Sequence, residues 1–220
     1  MVLIEGGTDV TARRLRSGLA PLLLLLTLAA CGSSPAPTTT TSTTTTLPPR
    51  ALGAIFPTTA TSPFTTEGAA ATAFALRLGF SPTAAAGAGQ SAIGGSATVN
   101  VSGATTTISL AMANGTWWAT GATSEQIQVT SPIAGAAVTS PLRVTGQAQA
   151  FEGQLPGLVI VNGRQVGRGL LHSGSTTLGP LAGSITFTAP AGTTGYLAVT
   201  DLSARDGSTV AAAAVRIECS

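Results

Sequence analysis

LVIVNGRQVGRGLL, residues 158–171, consists of two apolar runs joined by Asn162-Gly163. Both central residues of a type I′ turn need positive φ, which Asn and Gly tolerate, so this pair is a strong hairpin signal. Working outward from it, short strand-like runs recur from Glu125 onward, separated by Gly, Pro, Ser or Asn. They are EQIQVT (125–130), LRVTGQAQA (142–150), LVIV, RQVGRGLL, SITFTA (184–189), GYLAVTDLSA (195–204) and TVAAAAVRI (209–217). Asp206-Gly207 marks a second hairpin between the last two. Seven strands in about 95 residues predict a β-sandwich over 125–220.

Upstream, TTEGAAATAFALRL (65–78) predicts a helix. Thr65 or Thr66 caps it, Glu67 sits in the first turn, Phe74 and Leu78 share a face four apart, and Gly79 ends it. No other segment after the leader reads as a helix. TVNV (98–101), TTTISLAM (105–112), Ala113-Asn114-Gly115 and Thr116-Trp117-Trp118-Ala119-Thr120 read as a strand followed by a hairpin. The fold class expected is therefore mainly β: a small α+β module over 63–124, then the sandwich.

Within SPIAGAAVTSPLRVTGQAQAFEG (131–153), the residues Ser140, Pro141, Leu142, Val144, Gly146, Ala148, Phe151, Glu152 and Gly153 carry a resemblance. The segment resembles the bacterial spore germination immunoglobulin-like domain, and with Asp206-Gly207 before the last strand the likeness extends over about 125–219. The resemblance implies an immunoglobulin-like sandwich in an extracytoplasmic setting. Leu155-Pro156-Gly157 departs from it, interrupting a run where an unbroken strand is expected. The upstream helix and Trp-Trp strand are similar to the region preceding this domain in some actinobacterial envelope proteins. Physically, Pro141 suits a strand start and Leu142 and Val144 share a face. Gly146 permits a bulge, and Phe151 is expected to anchor the core.

Leu28-Ala29-Ala30-Cys31 closes an apolar run preceded by Arg13, Arg14 and Arg16, the grammar of an export signal. The run is shorter than the ~20 apolar residues a spanning helix needs. Glu5 and Asp9 make the region before Arg13 long for such a leader, so a start at Val10 is an alternative that leaves the motif intact. The motif resembles the bacterial lipobox, which implies lipidation of Cys31 and anchorage at the outer side of a bacterial membrane. Residues 31–62, rich in Thr, Ser and Pro, read as the lipidated cysteine and an extended tether reaching up to about 90 Å. With Cys31 committed to lipid, Cys219 remains a terminal thiol open to adventitious dimerisation.

The chain has ten arginines, no lysine and eight acidic residues; removing 1–30 leaves seven arginines against six carboxylates. That balance excludes the basic footprint of a nucleic-acid binder. His172 is the sole histidine, which leaves a metal site or a triad short of ligands and partners. No Gly-x-Ser-x-Gly elbow, paired-carboxylate motif, phosphate loop, CxxC pair or calcium loop is present, and no cofactor is implied. Glu152 reads as a rim residue. Arg164 and Arg168, four apart in one strand, fall on one face and read as a solvated face or a contact for an anionic polymer.

Trp117 and Trp118 are the candidate binding residues. Neighbours in a strand face opposite ways, so one belongs to a core and the other either seals the junction between modules or forms a platform for a sugar or partner. The expectation is a non-catalytic envelope lipoprotein that binds or scaffolds a cell-wall polymer or an envelope protein. A solute-binding or hydrolytic component and a passive spacer are the alternatives.

Overall fold

A computed structural model describes residues 53–58 and 64–220. The leader, Cys31 and the Thr/Pro-rich stretch up to 52 lie outside the described residues. Two helices come first, α1 (Glu67–Arg77) and α2 (Pro82–Ser91). Eleven strands follow: β1 (Ser96–Val101), β2 (Ala104–Ala113), β3 (Thr116–Ser124), β4 (Ile127–Ser131), β5 (Ala136–Val138), β6 (Leu142–Ala148), β7 (Gln154–Val161), β8 (Arg164–His172), β9 (Gly179–Ile185), β10 (Thr194–Leu202) and β11 (Thr209–Cys219). A small α+β region thus precedes a large, mainly antiparallel β region, as the sequence pattern predicts.

Helix α1 forms where its signals place it. Thr66 is the N-cap and its hydroxyl accepts from the Ala69 N–H at 3.3 Å. Gly79 closes the helix with φ of 88°, and Phe74 and Leu78 are both buried. Helix α2 is unforeseen. Its signature is Ser81, whose hydroxyl caps Ala84, with Pro82 at the first helical position, where its missing N–H costs nothing. Gly87 and Gly89 obscure it, and Gly89 is there for contact: a Cβ on Gly68 of α1 would lie 2.5 Å from the Gly89 carbonyl oxygen. The glycines let the two helix backbones touch.

The strands run in the order β1-β2-β3-β4-β6-β9-β8-β7-β10-β11-β5, and a further pairing of Ala214 with Ala122 joins β11 back to β3. Asn114-Gly115 and Asn162-Gly163 have positive φ at both positions and make tight hairpins, and Ser102-Gly103 makes a third between β1 and β2. At the Asp206-Gly207 hairpin only Gly207 is left-handed; Ser203 and Ser208 pair first, giving a wider loop. β7 passes unbroken through Leu155-Pro156-Gly157. Pro156 is tolerated because it lies just beyond the β10 ladder, which begins at Gly157. β9 lies earlier than SITFTA suggests, and the three-residue β5 adds a parallel pairing to β11.

Two hydrophobic cores result. The first lies under the helices: Phe74, Ala70 and Ala71 of α1 meet Val99, Ile108, Ala119, Tyr196, Ala198, Ala212 and Ala214. Phe74 packs against Phe56 and Tyr196 with ring centroids 5.4 and 5.9 Å away. The second fills the sandwich, where Ile127, Leu142, Val144, Leu181 and Ile185 face Leu155, Val159, Leu171, Leu197, Val199, Ala213 and Ile217. β10 and β11 serve both, their alternate residues pointing to opposite faces.

Residues 53–58, within the stretch read as tether, also contribute. Ile55 is buried in the first core, the Ile55 N–H donates to the Ala119 carbonyl at 2.8 Å, and Phe56 bridges Ala119. Two expectations are corrected. Phe151 is 81% exposed: the chain turns at Ala150–Gly153, Ala150 takes the core position, and Phe151 is left at the corner. Cys219 is buried in the second core beside β5, so in the folded chain it is not an available thiol.

Candidate functional site

A cleft of about 260 Å³ opens where the C-terminal end of α1 meets the face of the β8-β7-β10 sheet that the helices leave uncovered. Its floor is apolar, made by Leu158 and Ile160 of β7 and Ala198 of β10. Tyr196 and Thr200 of β10, Gln165 and Arg168 of β8, and Arg77 of α1 supply its polar groups. No carboxylate lines it.

The end of α1 is pinned above this floor by β11. The Thr209 hydroxyl donates to the Leu78 carbonyl at 2.7 Å and the Thr209 N–H donates to the Gly79 carbonyl at 2.9 Å, satisfying acceptors that a helix end otherwise leaves open. Arg77 then reaches across: its guanidinium donates to the Gly163 carbonyl in the β7–β8 turn, and it lines the cleft beside the Tyr196 phenol. Burial pushes the Tyr196 pKa up, and the nearby Arg77 guanidinium opposes that shift. Thr200 is only 4% exposed, and its hydroxyl has no hydrogen-bond partner among the described residues.

The arginine pair read from β8 is divided by the fold. β8 carries a bulge opposite Val159 and Ile160: Arg168 pairs with Leu158 and Gln165 with Ile160, but Arg164 pairs with Val161. The extra residue breaks the two-residue period, so Arg168 and Gln165 share the cleft face while Arg164 turns to the opposite one. Four-residue spacing means one face only in an unbulged strand. Arg168 itself is exposed and has no ion-pair partner among the described residues.

A second groove of about 320 Å³ adjoins the cleft, sharing Pro156, Arg168, Leu202 and Gly207 with it. Phe151, Glu152, Leu170 and Asp201 complete its character, with Phe151 and Leu170 largely exposed. Burial raises the Asp201 pKa, partly opposed by a hydrogen bond from the Leu202 backbone. Glu152 is exposed at the rim, placed there by the turn at 150–153 and not by strand alternation.

The tryptophans lie elsewhere. Trp117 is half-buried and packs on the first core, its backbone N–H donating to the Phe64 carbonyl at 2.8 Å. Trp118, on the opposite face of β3, is 6% exposed, and its indole N–H has no hydrogen-bond partner among the described residues. Neither lines the cleft or the adjoining groove. His172 is exposed at the end of β8. Among the described residues no group of His, Cys, Asp and Glu is placed to hold a metal ion.

Residues 126–208 match the immunoglobulin-like domain of bacterial spore germination. The match spans β4 to β10 and stops one residue short of β11, the strand that completes the sheet. Neither a curated protein nor a solved structure matches the chain. The cleft is therefore composite. Its floor, Tyr196, Thr200 and Arg168 belong to the immunoglobulin-like domain, while Arg77, Leu78 and Gly79 come from α1 and Thr209 from β11. Sequence reasoning missed Arg77, Tyr196 and Thr200 as a set, because it is the β10 register and the seating of α1 that bring them together. The one local signal was Tyr196 itself, the chain's single tyrosine and the only aromatic residue of β10.

Proposed function

We propose that the chain is a non-catalytic, lipid-anchored protein of the bacterial envelope that binds or scaffolds at the cell surface. The observation that carries this reading is the immunoglobulin-like domain at 126–208. The leader ending in Leu28-Ala29-Ala30-Cys31 supports export and lipidation of Cys31, outside the described residues. Among the described residues no helix is long and apolar enough to cross a membrane, so membrane attachment in this reading depends on the acyl chains. Partners consistent with it are a cell-wall polymer or an envelope protein.

The test is expression of the full chain and its Cys31→Ser variant in a bacterial host fed a labelled fatty acid. The wild type is expected to take up label and fractionate with membranes, and the variant to lose both. Unlabelled wild type that fractionates as the variant does overturns the anchor. Co-sedimentation of Cys31→Ser with purified sacculi, against Trp117→Ala and Trp118→Ala variants that remain folded, tests wall binding.

A solute-binding role is the second reading, and the cleft is the observation that favours it: a concave, largely apolar site with a few convergent polar groups.

A further inference from the structure

The polar side chains lining the cleft between α1 and the β8-β7-β10 face are Arg77, Gln165, Arg168, Tyr196, Thr200 and Thr209, two cationic and none anionic. Arg168 and the Thr200 hydroxyl are unpartnered among the described residues, and Thr200 is nine-tenths buried. The Tyr196 phenol lines the cleft beside Arg77. Arg77 adds a second positive charge, held in place by the Gly163 carbonyl. Beneath these groups Leu158, Ile160 and Ala198 offer only hydrocarbon. Glu152 and Asp201 line the adjoining groove and not the cleft.

We infer that this cleft binds an oxyanion carried on a short apolar stem, a carboxylate or phosphate whose oxygens meet Arg168, Thr200 and Tyr196 while the stem lies on Leu158 and Ile160. A guanidinium fork pairs with two oxygens of either headgroup, and the Thr200 hydroxyl on the cleft wall adds a donor. A neutral molecule of the same shape leaves Arg168 unanswered. A bare inorganic anion forgoes the apolar floor. The inference deepens the solute-binding reading and is independent of lipidation, since it concerns only folded residues.

Tyr196 is the only tyrosine, so its ring is a reporter already inside the site. The experiment titrates the full chain carrying Cys31→Ser, labelled with ring-13C tyrosine, with hexanoate, hexyl phosphate, hexanol and inorganic phosphate, following the ring signals by NMR. At least one hexyl anion is expected to shift them saturably. Hexanol and inorganic phosphate are expected to bind at least tenfold more weakly, and the stronger hexyl anion identifies the headgroup. Arg168→Gln is expected to weaken that binding at least tenfold. Thr200→Val, which keeps the side-chain volume, is expected to weaken it severalfold, both variants retaining the wild-type melting temperature. No saturable shift from either hexyl anion overturns the inference. So does hexanol binding as well as its anions, or Arg168→Gln binding within twofold of wild type. Failure here leaves the fatty-acid labelling result untouched, so the two readings fail separately.

Discussion

Two glycines in one α-helical layer carry opposite predictions. Gly87 of α2 is exposed, and a Cβ there meets nothing within 4 Å; Gly68 of α1 faces α2, and a Cβ there lies 2.5 Å from the Gly89 carbonyl oxygen and 3.3 Å from its carbon. Neither position has positive φ, so backbone strain is not involved. Gly87→Ala removes the conformational cost of glycine in a helix interior and stabilises by roughly 0.5–1 kcal/mol. Gly68→Ala must part the helices by about 0.5 Å to restore a 3.0 Å approach, and backbone on the far side cannot rotate away. Overpacking of this kind costs about 1–3 kcal/mol, offset in part by alanine's better propensity, for a net loss of about 1–2 kcal/mol. In a domain of about 160 residues each kcal/mol moves the melting temperature by roughly 2–4 °C. Thermal unfolding followed by circular dichroism should therefore show Gly87→Ala rising by about 1–4 °C and Gly68→Ala falling by about 2–8 °C. A rise in both would refute the close helix crossing, and with it the seating of α1 over the first core.

Phe74→Ala, which empties a fully buried site between Phe56 and Tyr196, should cost about 3–5 kcal/mol, whereas Phe151→Ala should change stability by less than about 0.5 kcal/mol; denaturant titration separates them. Cys219 should resist a thiol reagent in the native chain and react fully once it is unfolded, with the Cys31→Ser chain as the sample so that Cys219 is the thiol read. Asp201 and Asp206 should have opposite pH signatures. Burial raises the Asp201 pKa, so its contribution to stability falls as pH climbs from the unfolded value through the folded one; Asp201→Asn should help at pH 7 and make no difference near pH 3. Asp206 is held well below the usual carboxylate range by Ser208, with Ser203 and Arg205 adding to it, so its contribution is present at neutral pH and fades as acid protonates it; Asp206→Ala should lower the melting temperature at pH 7 more than in strong acid.

Much of the fold was legible because its signals are local. Thr66, Glu67 and Gly79 delimit α1, and Asn114-Gly115 and Asn162-Gly163 set two hairpins through dihedrals that few other residues accept. Leu142 and Val144 point inward as two-residue alternation requires. Helix α2 escaped because its glycines argue against a helix in isolation, and only the presence of α1 makes them favourable. Phe151 escaped for the converse reason: its size suggests a core residue, but the chain reverses under it. The arginine assignment failed at a single inserted residue, since a bulge is invisible to spacing and decides which side chains face the same way. The cleft depends on residues 77, 168, 196 and 200, brought together by register and helix docking, and no window along the chain contains them.

The double-sided strands β10 and β11 bear on how freely this immunoglobulin-like unit can be moved between proteins. Leu197, Val199, Ala211 and Ala213 serve the sandwich, while Tyr196, Ala198, Ala212 and Ala214 lie under α1. Cutting the chain before Glu125 would leave that second row bare, an oily stripe on a sheet that has lost its cover. Alanine dominates the row because a helix has to sit close to it, so a recipient without such a helix would need the row rewritten in polar residues. What matches a family as a separable segment is, in this chain, the lower half of a joint, and gene fusion at its apparent border would yield a protein that seeks another surface to bury.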